Sequence, residues 1–232
     1  MNFPSKTALE NGEISVEGRL VAASNATLFG QINHQSEFFN VIYKPIQGER
    51  PLWDFPEGTL AAREYGAYVI SELSGLHCVP PTALRDGPFG IGSVQIWIET
   101  KELDDFIEWA QSNDSRLRKL VLFDAIINNT DRKFGHILLT ETGEIFGCDH
   151  GVTFHEEDKL RTVLWQFADL PLSPQEIEVL ENLTCNLSTS QLPTLLSEAE
   201  FAALESRIQQ LLHHRRFPVP SEEWPPIPWP PV

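Results

Sequence analysis

The chain has 232 residues, of which 41% are hydrophobic, so it can build one large domain or two small lobes. Its 33 acidic and 17 basic residues give a formal net charge of −16, and a field of that sign repels nucleic acid and anionic membranes. We therefore expect no nucleic-acid partner and no stable membrane association. Residues 1–20 lack a signal-peptide profile and the cysteines are few and far apart, so we expect a cytoplasmic protein without disulfides or a zinc cluster.

The first two predicted strands flank a polar turn. Residues 13–21 and residues around 28–32 have strand character, and Ser24-Asn25-Ala26-Thr27 lies between them. Hydroxyls and backbone N–H groups in such a turn can cradle phosphate, which makes Ser24, Asn25 and Thr27 candidate binding residues. An ordinary hairpin turn has the same composition, so both interpretations stay open.

A lysine at the end of a strand and a glutamate on the following helix form the next candidate pair. Residues 37–44 alternate as a strand that ends in Lys44, and residues 59–74 form a helix before a glycine stop. Helical spacing places Glu64 among apolar residues on the face that meets the sheet. A carboxylate on that face needs a cationic partner, and Lys44 is the natural one. Arg63 as the partner, or an outward-turned Glu64, are the alternatives.

The middle of the chain contains a further strand and two helices. Residues 90–99 form an apolar strand that ends in acid, and residues 103–111 form a short helix. A longer helix then leads into the central polar loop. One of its faces is marked by Leu117, Leu120, Val121, Asp124 and Ile127.

Residues 126–151 contain the densest group of candidate catalytic side chains. Two short apolar runs flank Glu141-Thr142-Gly143-Glu144, and a two-residue turn at Thr142-Gly143 would pair Ile137 with Cys148 and place His136 opposite Asp149. Opposed residues in such a ladder have Cβ atoms about 4.5–5.5 Å apart, a separation that suits two ligands of one cation. Asp131 lies on the loop that enters the same end of the hairpin. Alternatively, these polar residues only cap a helix and form turns.

The C-terminal region predicts two capped helices and a tail. Ser173-Pro174-Gln175-Glu176 and Ser197-Glu198-Ala199-Glu200 are capping-box sequences. Residues 217–232 are rich in proline and tryptophan and predict extended chain. Trp224 and Trp229 are expected to dock this tail onto the domain, and a protein partner that binds proline-rich segments is the alternative.

Asn129-Thr130-Asp131-Arg132 followed by Asp149-His150-Gly151 resembles the catalytic and metal-binding loops of the phosphatidylinositol 3- and 4-kinase superfamily. The resemblance is strongest to the type II 4-kinases and to small uncharacterised bacterial relatives, and it extends collinearly from about residue 17 to about residue 154. It implies an α+β, two-lobed, protein-kinase-like fold. A small β-rich N-lobe would span residues 1–98, a helical C-lobe residues 99–216, and the tail residues 217–232.

The resemblance also implies a role for each candidate side chain. Asp131 would orient the acceptor hydroxyl, and Lys44, held by Glu64, would bind the α- and β-phosphates of ATP. Asp149 and His136 would bind Mg²⁺ or Mn²⁺, with His136 standing where the family usually has asparagine; an imidazole suits Mn²⁺ better. The turn at Ser24, Asn25 and Thr27 would cover the phosphates. The hinge, whose backbone would bind adenine, would comprise Gln95, Ile96, Trp97 and Ile98.

The function implied is ATP-dependent phosphoryl transfer to a hydroxyl group. Because no basic cluster or basic amphipathic helix is present to approach an anionic bilayer, a protein or small-molecule acceptor is favoured over a membrane lipid. Two alternatives remain, a phosphatidylinositol kinase and a nucleotide-binding pseudokinase that acts as a binding module.

Overall fold

An antiparallel five-stranded sheet forms the N-terminal part of the computed structural model, which describes residues 3–20 and 25–232. The sheet order is β1-β2-β3-β5-β4, so β3 and β5 lie inside it. The strands are β1 (Glu13–Arg19), β2 (Leu28–His34), β3 (Glu37–Pro45), β4 (Thr82–Gly87) and β5 (Gly90–Ile96). Alternate residues of the strands, such as Ile32, Val41 and Val94, fill a core on one face.

The helices, together with the second hairpin and the loops near it, build a second, larger core. They are α1 (Lys6–Asn11), α2 (Leu60–Leu73), α3 (Phe106–Ala110), α4 (Arg118–Ile127), α5 (Pro174–Asn186), α6 (Leu192–Leu195) and α7 (Glu198–His214). Both predicted capping boxes are present at the starts of α5 and α7. None of the helices in the described ranges is long and apolar enough to cross a bilayer. The sheet followed by a mainly helical part agrees with the α+β architecture expected from the sequence.

The two elements that carry Lys44 and Glu64 form close to their predicted bounds. Strand β3 ends at Pro45, where the chain turns into a 3₁₀ turn over Ile46–Gly48. Helix α2 ends at Leu73, two residues before Gly75, whose φ of +71° is a conformation that glycine adopts without steric cost. The short helix α1 lacks a strong sequence signal and was not predicted; Ser5 caps it by accepting from the N–H of Ala8 at 3.1 Å.

The hairpin of β6 (Ile137–Leu139) and β7 (Ile145–Gly147) corrects the predicted register. Ile137 pairs with Gly147 and not with Cys148, a shift of one residue. The cause is the turn: the N–H of Gly143 donates to the carbonyl of Thr140 at 3.0 Å, and Gly143 has φ of +84°, as in a three-residue loop with a left-handed glycine. His136 is therefore opposite Cys148, whose N–H donates to the His136 carbonyl at 3.1 Å.

The proline-rich tail docks onto the domain through its backbone and through one tryptophan. The carbonyl of Pro226 accepts from the N–H of Thr162 at 3.0 Å and from the indole N–H of Trp165 at 2.8 Å. Trp224 packs against the ammonium of Lys159, which lies 4.6 Å from its ring centroid. Trp229 is 86% exposed, so the expectation that it also docks the tail is wrong.

Candidate active site

One cleft collects six of the twelve candidate site residues that the sequence singled out. It has a volume of about 470 Å³, and its lining includes residues of β3, of α2 and of the loops that flank β6 and β7. The predicted residues on its walls are Asn25, Thr27, Lys44, Glu64, Asp131 and Asp149. These positions are spread over more than half of the chain, so the fold, and not local sequence, brings them together.

The ammonium of Lys44 joins two carboxylates from distant elements. It contacts Oε1 of Glu64 on α2 and lies 2.7 Å from Oδ1 of Asp149, in the loop after β7. The second oxygen of Glu64 accepts from the backbone N–H of His150 at 2.9 Å. Glu64 is 3% exposed, so the two charge-assisted hydrogen bonds compensate for its loss of hydration.

The charges of this cluster are mutually dependent. Burial alone would lower the pKa of Lys44, but Asp149 and Glu64 outweigh it and the pKa is raised. Lys44 in turn holds the pKa of Asp149 well below its usual range. Burial raises the pKa of Glu64, and Lys44 and the N–H of His150 oppose that rise. At neutral pH Lys44 is thus a cation and Asp149 an anion.

His136 lies beside Asp149 in a tautomer suited to metal binding. Its Nδ1 is 2.9 Å from the carbonyl of Asp131, which can only accept, so Nδ1 carries the proton and Nε2 has a free lone pair. Nε2 lies 3.3 Å from Oδ2 of Asp149. Burial lowers the pKa of His136, an effect that Asp149 partly opposes, so the ring is neutral at pH 7.

These two side chains fit a divalent cation that also binds phosphate. An imidazole nitrogen and a carboxylate oxygen converge with their lone pairs available, the pattern of a site completed by phosphate and water oxygens. Within residues 3–20 and 25–232, no group of three or more His, Cys, Asp and Glu side chains is placed to hold a metal alone. The pair meets in spite of the register shift because Asp149 has φ of +59°, which turns its side chain back towards the 3₁₀ turn of His136.

Asp131 is the carboxylate of the cleft that remains available for an acceptor. Its backbone N–H donates to Oδ1 of Asn129 at 3.0 Å, and its Oδ2 lies 3.2 Å from Nζ of Lys133. Burial raises the pKa of Asp131, although Lys133 and His136 oppose the shift. A partly exposed carboxylate with a raised pKa is a better proton acceptor than an ordinary aspartate.

The guanidinium of Arg132 ties the loop of Asp131 to the loop of Asp149, a role that the sequence reasoning missed. Arg132 is fully buried and forms a two-point ion pair with Asp124 of α4, at 2.8 and 2.9 Å. Its Nη1 donates to the carbonyls of His136 and Cys148, and its Nη2 to Nε2 of His150. Asp124 on the apolar face of its helix was the available signal, because a buried acid requires a partner.

Close packing against Arg132 also accounts for a glycine in β7. A Cβ atom on Gly147 would lie 2.8 Å from Nη2 of Arg132. The backbone of Gly147 therefore packs directly against the guanidinium, with no side chain between them.

The polar turn is described from Asn25 onwards; Ser24 lies outside the described residues. Oδ1 of Asn25 accepts from the backbone N–H of Arg50 at 2.9 Å, which ties the turn to the segment after β3. The carbonyl of Thr27 accepts from the N–H of Leu20 at 2.9 Å, as in a hairpin. Asn25 and Thr27 both line the cleft, beside Lys44.

The proposed hinge residues do not line this cleft. Gln95 lies inside β5, paired with Ile42 and Thr82, and its amide donates to Oγ1 of Thr82 at 2.9 Å; its assignment to the hinge stays a prediction. Trp97 leaves the sheet, donates its N–H to Asn40 at 2.9 Å and packs edge-on against another ring. Adenine binding by Ile96, Trp97 and Ile98 stays a prediction.

Comparison with known proteins defines the fold. No protein-family model matches the chain. The crystal structure of the Helicobacter pylori proinflammatory kinase CtkA superposes with a TM-score of 0.51 at 14% identity, covering 90% of this chain and 94% of that one. The protein therefore has a kinase-like fold.

Sequence similarity then assigns the family. Protein Rv2133c of Mycobacterium tuberculosis (strain ATCC 25618 / H37Rv) is 38% identical over 260 aligned positions, which cover 96% of this chain and 93% of that protein. The chain belongs to the family of Protein Rv2133c.

Proposed function

We propose that the protein is an ATP-dependent phosphotransferase related to the phosphatidylinositol 3- and 4-kinase superfamily, and that it transfers phosphate to a hydroxyl of a protein or small molecule. The observation that carries the proposal is the bridge of Lys44 between Glu64 and Asp149. A strand lysine held by a helix glutamate, next to a loop aspartate, is the arrangement with which kinases position nucleotide phosphates. The kinase-like fold places the bridge in a cleft of suitable size.

Each residue has a distinct task in this mechanism. Lys44 binds the α- and β-phosphates, and Glu64 keeps the ammonium in place. Asp149 and His136 would hold the divalent ion, which supplies neutralisation of phosphate charge when bound. Asp131 orients the acceptor hydroxyl and receives its proton as that oxygen bonds to the γ-phosphorus and the bond from the γ-phosphorus to the β–γ bridging oxygen breaks, which releases ADP. The raised pKa of Asp131 suits that step, because a stronger base accepts the proton earlier.

A second candidate, nucleotide binding without transfer, is favoured by one observation. His136 occupies the position where the superfamily usually has an asparagine oxygen, and an imidazole is a poorer ligand for Mg²⁺. A pseudokinase predicts ATP binding without turnover under every divalent ion. The same residue in an active enzyme predicts turnover that is better with Mn²⁺ than with Mg²⁺.

Labelled ATP separates these functions. The purified protein is incubated with γ-labelled ATP and Mn²⁺ or Mg²⁺, in parallel with a cell lysate, with its soluble small-molecule fraction and with inositol-lipid vesicles, and Asp131→Asn serves as the matched control. We expect Asp131-dependent label in the lysate or its small-molecule fraction. Label confined to vesicles would identify a lipid kinase. ATP binding without transfer in every arm would refute the phosphotransferase proposal.

A further inference from the structure

The segment after Asp149 places an arginine directly alongside Asp131. The N–H of Arg161 donates to the carbonyl of Asn129 at 2.9 Å, and the carbonyl of Arg161 accepts from the N–H of Arg132 at 3.1 Å. These two bonds attach Arg161 to the catalytic loop on both sides of Asp131. Since the attachment uses only backbone atoms, the side chain is free to serve another purpose.

The guanidinium of Arg161 has unused hydrogen-bonding capacity. Its Nε is buried without a hydrogen-bond partner, and its Nη2 reaches the carbonyl of Ile227 only at 3.5 Å. No carboxylate of the described residues lies within 4.0 Å of it. Buried polar atoms are nearly always paired in native proteins, so the unpaired Nε of an arginine that lines a cleft indicates a place where a ligand can bind.

Arg50 adds a second cation to the same cleft. Its backbone is fixed by Asn25, its side chain lines the cleft, and it too has no carboxylate partner within 4.0 Å among the described residues. Lys159 differs, because Asp54 at 3.6 Å and Glu157 at 3.0 Å neutralise it. In a chain with a net charge of −16, two arginines that line one cleft without a carboxylate partner form a local exception.

We propose that Arg161, assisted by Arg50, binds an oxyanion group, phosphate or carboxylate, on the molecule that accepts the phosphoryl group. The inference rests on the proposed phosphotransferase function and adds the chemical class of its acceptor. An anionic acceptor next to ionised Asp131 and the ATP phosphates is repelled, and two arginines offset that repulsion. Arg161 also fixes the acceptor through a forked contact that is anchored to the loop of Asp131.

The donor nucleotide accounts less well for these arginines. ATP phosphates already have Lys44 and the pair of Asp149 and His136. Arg161 is instead bonded through its backbone to Asn129 and Arg132, on the two sides of Asp131, the residue assigned to the acceptor hydroxyl.

The test measures oxyanion binding to the nucleotide-loaded protein. The full chain is saturated with adenylyl imidodiphosphate, a non-hydrolysable ATP analogue, and Mn²⁺, and inorganic phosphate or acetate is titrated at constant ionic strength by calorimetry. The variants are Arg161→Gln and Arg50→Gln. Lys6→Gln is the charge-matched control, because Lys6 is 74% exposed on α1, away from the cleft lining.

We expect phosphate, acetate or both to bind the loaded wild type, with binding at least tenfold weaker in Arg161→Gln, weaker in Arg50→Gln and unchanged in Lys6→Gln. Affinity for the nucleotide analogue should stay within twofold in all three variants.

Unchanged oxyanion binding in Arg161→Gln, or the absence of oxyanion binding in a wild-type protein that binds the analogue normally, would overturn the acceptor assignment alone. A tenfold loss of analogue affinity in Arg161→Gln would also overturn it and assign Arg161 to the donor. Failure of wild type to bind the analogue would refute the proposed function and the acceptor assignment with it.

Discussion

Asp124→Asn should be among the most destabilising near-isosteric substitutions in this protein. Asp124 is 1% exposed and Arg132 is fully buried, so their ion pair is shielded from water. The substitution removes the negative charge, leaves the guanidinium uncompensated, and turns one acceptor oxygen into a donor that faces Arg132 or Asn129. Breaking a buried pair from one side costs about 3–5 kcal/mol of folding free energy.

Urea unfolding followed by fluorescence measures that loss. With a slope of about 3 kcal/mol per molar urea, the midpoint should fall by about 1–1.7 M. Arg132→Met should be destabilised to a similar extent, because it leaves the buried carboxylate unpaired. The double variant should lose at least about 2 kcal/mol less than the sum of the two, since neither charge is then left alone.

An exposed ion pair provides the control. Glu10→Ala removes the partner of Lys6, at 3.6 Å on the surface of α1, and should cost no more than about 0.5 kcal/mol. If Asp124→Asn costs as little as Glu10→Ala, or if the Asp124 and Arg132 variants are simply additive, the buried pair does not organise the site in the way inferred here.

Four substitutions at the candidate site test the assigned roles. Lys44→Met should weaken ATP binding by about ten- to a hundredfold, the equivalent of one or two charged hydrogen bonds, and should lower the thermal midpoint because buried Glu64 keeps only the N–H of His150 as a partner; wild-type ATP affinity in the folded variant would remove Lys44 from the site. Asp149→Ala should abolish metal-dependent nucleotide binding, whereas Asp131→Ala should leave binding intact and reduce transfer by about 10²–10⁴-fold; equal losses of affinity would show that the carboxylates are wrongly assigned. Burial lowers the pKa of His136, so wild-type activity should fall only as pH drops below about 6.5, when the ring gains a proton and loses its free lone pair. His136→Asn should flatten that acid limb and move preference from Mn²⁺ to Mg²⁺, and an unchanged profile with unchanged preference would exclude His136 as a ligand.

The pairing of Lys44 with Glu64 was predictable because strong local signals determine the elements that carry them. Alternation and Pro45 define the strand, and the apolar stripe with Gly75 defines the helix. Few cationic side chains can then reach Glu64 on the buried face of the helix. Local rules were sufficient here because the direction in which each side chain points is set by the geometry of its own strand or helix.

The register of the hairpin was not predictable from the same kind of rule. Thr142-Gly143 suits a two-residue turn, but Thr140 and Glu144 close the observed loop with the glycine at its left-handed position. The predicted two-residue turn and the observed three-residue loop differ in length by only one residue. Which of them forms depends on how the two strands pack. The contact of His136 with Asp149 survives only because Asp149 leaves the strand with positive φ, which aspartate tolerates better than most residues.

The network around Arg132 and the position of Arg161 depend on contacts remote in sequence. Arg132 directs its five hydrogen bonds to Asp124 and to the two loops, and no periodicity marks such a convergence. Arg161 reaches Asp131 through backbone pairing between two irregular segments. The position of Asp124 on an apolar helix face was the available signal, but it does not identify which of the nearby cations is the partner.

The close contact between Gly147 and Arg132 restricts how sequences in this family can diverge. Any side chain at 147 displaces the guanidinium, since a Cβ would come within 2.8 Å of it. A smaller residue at 132 makes room, but it leaves the carboxylate of Asp124 buried and unpaired. Each single step therefore passes through a less stable protein, and Asp124 and Arg132 must change together before position 147 can accept a side chain. Drift at these sites should be concerted, with the glycine, the arginine and the aspartate retained or replaced together.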